Sequence, residues 1–126
     1  MNEKQKTGAH GEDVAAKWFE EHGYRIIARN YVSGKDEIDV IAEDDHAVVF
    51  VEVKTRNETI PGYGRPSLAI NRKKRLCLVR CAKAYMKTHI SEKFHRFDVI
   101  EIKIDKDGNE AVNYIKNAFG ADGRVI

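Results

Sequence analysis

Charged residues interrupt two strand-like segments between Glu37 and Arg56, and this stretch constrains the fold more than any other part of the chain. The first segment alternates apolar and polar side chains as far as Ala42, and the second, Val48 to Val53, is almost entirely apolar, so both have strand character. Asp44-Asp45 between them favours a turn. The stretch therefore predicts a β-hairpin that carries ionisable groups inside a half-buried sheet.

The length of the turn would set the register of this hairpin. With a two-residue turn, Asp39 lies opposite Phe50 and diagonal to Glu52 on the same face of the sheet. Lys54 follows Glu52 on that face, because side chains of a strand repeat every two residues. A loop with an odd number of residues would instead place Asp39 and Glu52 on opposite faces. The proximity of the two carboxylates therefore depends on the register.

Two carboxylates and an ammonium group on one sheet face are costly to remove from water unless they are paired or bind a metal ion. Mg²⁺ prefers one or two carboxylates with waters and phosphate oxygens, and Asp39, Glu52 and the carbonyl of Val53 offer such a set. Lys54 would then lie beside a water at the site. For each residue alone, an ion pair with Lys54 on a solvated face is the commoner explanation, but the combined spacing favours a metal.

Length and composition restrict the class of protein. A chain of 126 residues with 42% hydrophobic content predicts one compact domain spanning residues 1–126. It contains no apolar run of about 18 residues and begins with a polar segment, which predicts a cytoplasmic protein with no membrane partner. Cys77 and Cys81 lack the spacing of a zinc site, so we expect reduced thiols.

The net charge of +2 hides an uneven distribution along the chain. The segment from Lys54 to Arg96 holds twelve Lys or Arg residues and two acids, a balance of +10, so the remainder carries −8. Such a basic block is typical of a surface that meets phosphates, although a solvated helix face has the same composition. The residues expected to bind nucleic acid are Arg56, Tyr63, Arg65, Lys73, Arg80, Lys83 and Lys87.

Periodicity and turn residues divide the rest of the chain into helices and strands. Two helices are predicted, Thr7 to His22 and a second that is capped by Asn71 and ends near His89. Residues 116–126 are predicted to form a loosely ordered tail, because they contain two glycines and no clear apolar period. Besides the hairpin, the predicted strands are Tyr24 to Asn30, Phe94 to Ile104 and Ala111 to Ile115.

Glu12 of the first helix borders the apolar stripe that includes Trp18 and Phe19. Gly8 and Gly11 beside it leave room for the close approach of another main chain or a ligand. A first-turn acid that interacts with the helix dipole would explain Glu12 alone. Its position nevertheless makes Glu12 a candidate for a site shared with the hairpin.

Helix-borne Glu12, strand-borne Asp39 and Glu52-Val53-Lys54 together resemble the PD-(D/E)XK nuclease superfamily. Within it, the chain resembles the bacterial YraN family, which is similar to archaeal Holliday junction resolvases, through GAHGEDVAA, EIDVIA, VVFVEVKTR and RFDVI. The resemblance implies a single α/β domain with a restriction-endonuclease-like core of order α-β-β-β-α-β, whose central mixed sheet is flanked by helices. Asp36 stands where such proteins usually have glycine, and would add negative charge near the metal.

The same resemblance implies the roles of the site residues. Asp39 and Glu52 would bind Mg²⁺ or Mn²⁺, Lys54 would position or activate the attacking water, and Glu12 would support the site. The implied activity is metal-dependent cleavage of structured or branched DNA.

Two other classes stay open. A non-catalytic nucleic-acid-binding protein needs only the basic block, although Asp39 and Glu52 would repel phosphates in the absence of a cation. A structural or partner-binding protein would leave the basic side chains solvated. DNA or RNA as the ligand, and a monomer or a homodimer, likewise remain alternatives.

Overall fold

The protein forms one α/β domain in the computed structural model, which describes residues 2–60 and 70–126. Five strands form a single sheet in the order β1-β2-β3-β4-β5, with two helices beside it. The predicted fold class, a mixed sheet flanked by helices, is confirmed. The elements are α1 (Glu3–Glu21), β1 (Arg25–Ser33), β2 (Asp36–Glu43), β3 (Ala47–Asn57), α2 (Arg72–Thr88), β4 (Phe94–Ile104) and β5 (Glu110–Phe119).

The sheet combines antiparallel and parallel pairing. Strands β1, β2 and β3 form an antiparallel meander, whereas β3 and β4 are parallel and pair from Ala47–Phe94 to Asn57–Ile104. Because parallel neighbours need a crossover connection, the chain returns through α2 before it enters β4. Strand β5 then pairs antiparallel with β4. The parallel β3–β4 ladder is the longest of the sheet, and Glu52 and Lys54 lie within it.

Each helix covers its own hydrophobic core. Leu78 and Val79 of α2 pack in a cluster with Phe50, while Ala15 and Phe19 of α1 pack in a second cluster. Phe19 is completely buried, but Trp18 is only partly buried and stacks on His22. Phe19 is therefore the main aromatic anchor of α1.

Helix α1 begins earlier than predicted because Asn2 caps it. The Asn2 side chain accepts a hydrogen bond from the Gln5 main-chain N–H at 2.8 Å, and the Gln5 side chain accepts one from the Asn2 N–H at 3.1 Å. This reciprocal capping box satisfies two N–H groups that would otherwise lack partners. Helix α2 begins after the predicted cap, Asn71, whose side chain accepts from the Lys74 N–H.

Strand β5 continues to Phe119, so the prediction of a loosely ordered tail from residue 116 onward is wrong for its first residues. Phe119 is buried and stacks on Phe97, with ring centroids 4.9 Å apart. It also pairs with Val125. Asn117 adopts a left-handed conformation (φ 56°), and the β4–β5 register shifts between Phe97 and Val99. This irregularity obscures the strand period in the sequence.

Gly11 brings α1 and β3 together at their closest approach. A Cβ atom at this position would overlap the hydroxyl group of Thr55, so a larger residue fits only if Thr55 or the helix shifts. Glu12 is the next residue of α1, so the contact between Gly11 and Thr55 sets the distance of Glu12 from the sheet.

Within residues 2–60 and 70–126, neither helix is long and apolar enough to cross a membrane.

Candidate metal centre and nucleic-acid surface

The hairpin register differs by two residues from the predicted one. Phe50 pairs with Ile41 rather than with Asp39, and the last pair of the β2–β3 ladder is Val40–Val51. The turn is displaced by one residue, and not lengthened, because Asp44 closes it: its N–H donates to the Ala47 carbonyl at 3.0 Å, and Asp45 and His46 lie between the two. The loop still has an even number of residues. One further step along the ladder therefore sets Asp39 opposite Glu52.

Asp39 lies where β2 and β3 stop pairing with each other. Its Oδ2 accepts a hydrogen bond from the main-chain N–H of Val53 at 2.8 Å. Ile38 belongs to the core under α2 and Val40 to the core under α1, so the strict alternation of β2 breaks at Asp39. This distortion turns the carboxylate toward β3.

Glu52 is buried beside Asp39 without full hydrogen bonding. Its side chain is 10% exposed, and among the described residues its Oε2 has no hydrogen-bond partner. Burial, followed by the charge of Asp39, raises the pKa of Glu52 to about 8. Burial also raises the pKa of Asp39. The two carboxylates therefore form a site that favours a proton or a cation.

Cations from β3 and α2 border this acidic pair. Lys54 lines a cleft with Glu52 and Lys74, and the Lys74 Nζ lies 3.9 Å from Glu52 Oε2. The charge of Lys74 lowers the pKa of both Asp39 and Glu52, although burial outweighs it. The pattern of the hairpin predicted Lys54, whereas Lys74 was not predicted.

Glu12 approaches the site from the α1 side. Partial burial is the largest cause of a raised pKa of Glu12, and the negative charges of Asp39 and Glu37 raise it further. With its amide oriented to satisfy hydrogen bonding, Asn30 donates to Glu12 Oε1 at 3.0 Å and to Glu37 Oε1 at 3.2 Å. Asn30 adopts a left-handed conformation (φ 52°), which asparagine tolerates better than most residues. Glu37 and Asn30 were not predicted as parts of the site.

The donor set suits a hard divalent cation with an incomplete protein shell. Across residues 2–60 and 70–126, no group of three or more His, Cys, Asp or Glu side chains forms a complete metal site. The pair Asp39 and Glu52 supplies two carboxylates and one buried oxygen without a hydrogen bond. Mg²⁺ is commonly bound by one or two carboxylates, with waters and substrate phosphates at the other positions. The residues therefore fit such an ion.

The predicted nucleic-acid-binding residues fall into three groups. Lys73, Lys83 and Lys87 are exposed on α2. Arg80 instead makes two hydrogen bonds to Asp36, at 2.6 and 2.8 Å, and Arg56 pairs with Glu58 at 3.2 Å. Tyr63 and Arg65 lie outside the described residues. Of the residues placed in the described structure, the three lysines are therefore the more accessible.

Asp36 is compensated by this pair with Arg80. Hydrogen bonding to Arg80 holds the pKa of Asp36 below its usual value. The negative charge that replaces the usual glycine therefore has its own counter-ion on α2.

Arg96 belongs to the basic block of the sequence but not to its surface. It is 6% exposed and donates to the carboxylate of Asp98 at 3.1 Å. Asp98 also accepts hydrogen bonds from the hydroxyl of Tyr114 and, at 2.9 Å, from the main-chain N–H of Asn117. Arg96 and Asp98 therefore form a buried ion pair beneath α1.

The fold and the site together define an α/β protein with a buried acidic pair where two strands of a mixed sheet part. The chain belongs to the uncharacterised protein family UPF0102, the YraN family, whose model matches residues 11–102. The predicted family is thereby confirmed.

Relatives from several bacteria match nearly the whole chain. UPF0102 proteins of Caldicellulosiruptor bescii and Bacteroides thetaiotaomicron are 42% and 40% identical over 94% of this chain, covering 100% and 96% of their own lengths. One from Clostridium botulinum is 44% identical over 89% of this chain and 92% of its own. Among solved structures, SfsA of Pyrococcus furiosus in complex with Ca²⁺ matches 90% of this chain with a TM-score of 0.42 and 17% identity, and the match spans 63% of SfsA.

Proposed function

We propose that this protein is a cytoplasmic endonuclease that uses Mg²⁺ or Mn²⁺ to hydrolyse phosphodiester bonds in structured or branched DNA. The observation that carries the proposal is the buried Glu52 oxygen, which lies beside Asp39 and has no hydrogen-bond partner in residues 2–60 and 70–126. A protein that only needed stability would gain by replacing this pair with apolar residues, because unpaired buried carboxylates are costly.

Asp39, Glu52 and the carbonyl of Val53 would hold the cation. A bound Mg²⁺ or Mn²⁺ supplies a more acidic water and stabilises the charge that develops on the phosphoryl group. Lys54, on the wall of the same cleft, orients the attacking water and offsets negative charge on the phosphate. Glu12 adds negative charge from the α1 side and so supports cation binding.

The choice of DNA rests on the resemblance to junction resolvases and on the exposed lysines of α2. Lys73, Lys83 and Lys87 are exposed and can neutralise DNA phosphates. The same lysines support a second candidate, a nucleic-acid-binding protein without catalysis. That candidate gives no role to Asp39 and Glu52, which would repel phosphates without a cation.

Cleavage of a substrate panel tests the proposal. Duplex, single-stranded, flap and four-way DNA should be incubated with the protein and Mg²⁺, Mn²⁺ or EDTA. We expect cation-dependent cleavage of at least one structured substrate, and a loss of roughly 100-fold or more with Asp39→Asn or Glu52→Gln. Lys54→Ala should abolish cleavage but retain cation affinity, since lysine is not a ligand.

Asp45→Asn is the matched control, because Asp45 lies in the hairpin turn with its side chain 88% exposed. It removes the same charge and should cleave like the wild type. Binding of DNA should survive Asp39→Asn. If the wild type cuts no substrate, or if Asp39→Asn cuts as fast as Asp45→Asn, the protein is not this kind of nuclease, and DNA retention at low salt would then favour the binding protein.

A further inference from the structure

Lys74 lies beside the buried Glu52 oxygen, Oε2, which has no hydrogen-bond partner among the described residues. Its Nζ is 3.9 Å from Glu52 Oε2, close enough for charge attraction but too far for a hydrogen bond. The main chain of Lys74 is fixed, because its N–H donates to the Asn71 cap at 2.8 Å. Its side chain is 45% exposed. The main chain therefore holds Lys74 at the edge of the site, while its ammonium group remains able to move into the cleft.

Neighbouring cations on the first turn of α2 are placed differently. Arg75 donates to the main-chain carbonyls of Ile70 and, at 2.7 Å, Gly123, so its guanidinium is held by the main chain. Lys73 is exposed, and the described structure pairs it with no carboxylate of the site. Lys74 is thus the cation of this turn that faces Glu52.

We propose that Lys74 is a substrate-positioning residue that lies against Glu52 in the cation-free protein and turns to the substrate phosphate once a divalent cation occupies the site. This inference rests on the proposed function. The ammonium group and a divalent cation compete for the same oxygen, because both are attracted to Glu52 Oε2. When the cation neutralises Glu52, the flexible, half-exposed lysine is released into the cleft that Lys54 also lines.

Replacement of Lys74 should therefore have two opposite effects. Removal of a competing charge should tighten binding of the cation, by roughly tenfold for a single charge in a partly solvated site. Loss of a phosphate contact should slow cleavage at saturating cation, also by roughly tenfold. A purely structural role would weaken both properties together or change neither.

The experiment measures both properties in Lys74→Ala, and Mn²⁺ affinity alone in the control Lys73→Ala, which removes the same charge one position away. Mn²⁺ affinity is measured by calorimetric titration without DNA, and cleavage by single-turnover kinetics at saturating Mn²⁺. Lys74→Arg retains the charge and should keep the Mn²⁺ affinity near that of the wild type. Lys73→Ala should bind Mn²⁺ as the wild type does.

The outcomes separate this inference from the proposed function. Unchanged Mn²⁺ affinity in Lys74→Ala, in a wild-type background that cleaves DNA, overturns the role of Lys74 and leaves the nuclease intact. Tighter Mn²⁺ binding by Lys74→Ala, in a protein that cleaves nothing, supports the competition at Glu52 and overturns the nuclease. A wild-type protein that binds no Mn²⁺ overturns both.

Discussion

Two buried ionisable clusters lie on the same sheet and differ in how completely they are satisfied. Asp98, which is 1% exposed, accepts hydrogen bonds from Arg96, Tyr114 and the main chain of Asn117. Glu52 is 8% exposed, yet its Oε2 has no hydrogen-bond partner in the described structure. Burial alone therefore does not distinguish the clusters, but hydrogen bonding does.

The difference favours a structural role for the Asp98 cluster and the proposed ligand-binding role for Asp39 and Glu52. A buried carboxylate with a guanidinium and several donors keeps its charge and ties strands together. A buried carboxylate beside a second carboxylate is unstable as an anion until a proton or a cation joins it. The Asp98 cluster therefore holds the fold, and the Asp39–Glu52 pair is available for a ligand.

Removal of one charge from each cluster should give the largest contrast. Asp98→Asn leaves the buried guanidinium of Arg96 without its counter-ion, so we expect a loss of about 3–5 kcal/mol in the free energy of unfolding. Glu52→Gln should leave the cation-free protein as stable as the wild type or more stable. Urea unfolding in EDTA measures both. Equal losses would show that Glu52 is also a structural charge.

The acidic pair should also make the cation-free protein less stable as the pH rises. The pKa of Glu52 is raised to about 8 in the folded state, so its stabilising contribution is complete below the ordinary carboxyl pKa and is lost as the pH approaches 8. The raised pKa of Asp39 acts in the same direction.

Between pH 5 and pH 8.5, we expect the free energy of unfolding in EDTA to fall by roughly 4 kcal/mol. Glu52→Gln should flatten this dependence, and Mn²⁺ should restore stability at high pH, because a cation then replaces the proton. A wild-type profile that rises with pH over this range would contradict the burial of these carboxylates.

The same distinction between satisfied and unsatisfied charges applies to the cations of α2. Lys83→Glu combined with Lys87→Glu should weaken DNA binding by roughly tenfold for all sequences alike and reduce its salt dependence. Arg80→Gln should leave the salt dependence unchanged, because Arg80 is already paired with Asp36. Fluorescence anisotropy at several salt concentrations measures these effects. Salt-independent binding would identify the lysines as a solvated face only.

The two left-handed asparagines give the smallest and most selective test. Asn117 donates a hydrogen bond to Asp98 from its main-chain N–H, whereas Asn30 donates to Glu12 and Glu37 from its side-chain amide. Glycine keeps the left-handed conformation but removes the side chain. Asn117→Gly should change stability by a few tenths of a kcal/mol, and Asn30→Gly should cost about 1 kcal/mol at neutral pH. Equal effects in urea unfolding would contradict the role of the Asn30 amide.

The sequence predicted the order of the elements and the acidic pair because both follow from periodicity. An error of two residues in the hairpin register preserved the face of every side chain, so Asp39 and Glu52 stayed together although Phe50 did not face Asp39. The break in alternation at Asp39 could not be predicted, since it depends on packing against both helices.

Contacts between elements that are distant in the sequence could not be predicted for a similar reason. Lys74 and Asn30 come near the acidic pair only when α2 and β1 are packed on the sheet, and neither has a distinctive neighbour in the sequence. Lys74 could have been inferred from its position in the sequence. It directly follows Lys73, which belongs to the predicted basic stripe of α2, so its side chain lies next to that stripe on the helix.

The close contact between Gly11 and Thr55 has a consequence for how such a protein drifts during evolution. A single added methyl group at position 11 that displaces this end of α1 would carry Glu12 away from Asp39, although every ionisable group would remain in the sequence. A relative could therefore lose its chemistry through a residue that has none. In the proposed function, an intact set of acids would therefore not suffice without the glycine before Glu12.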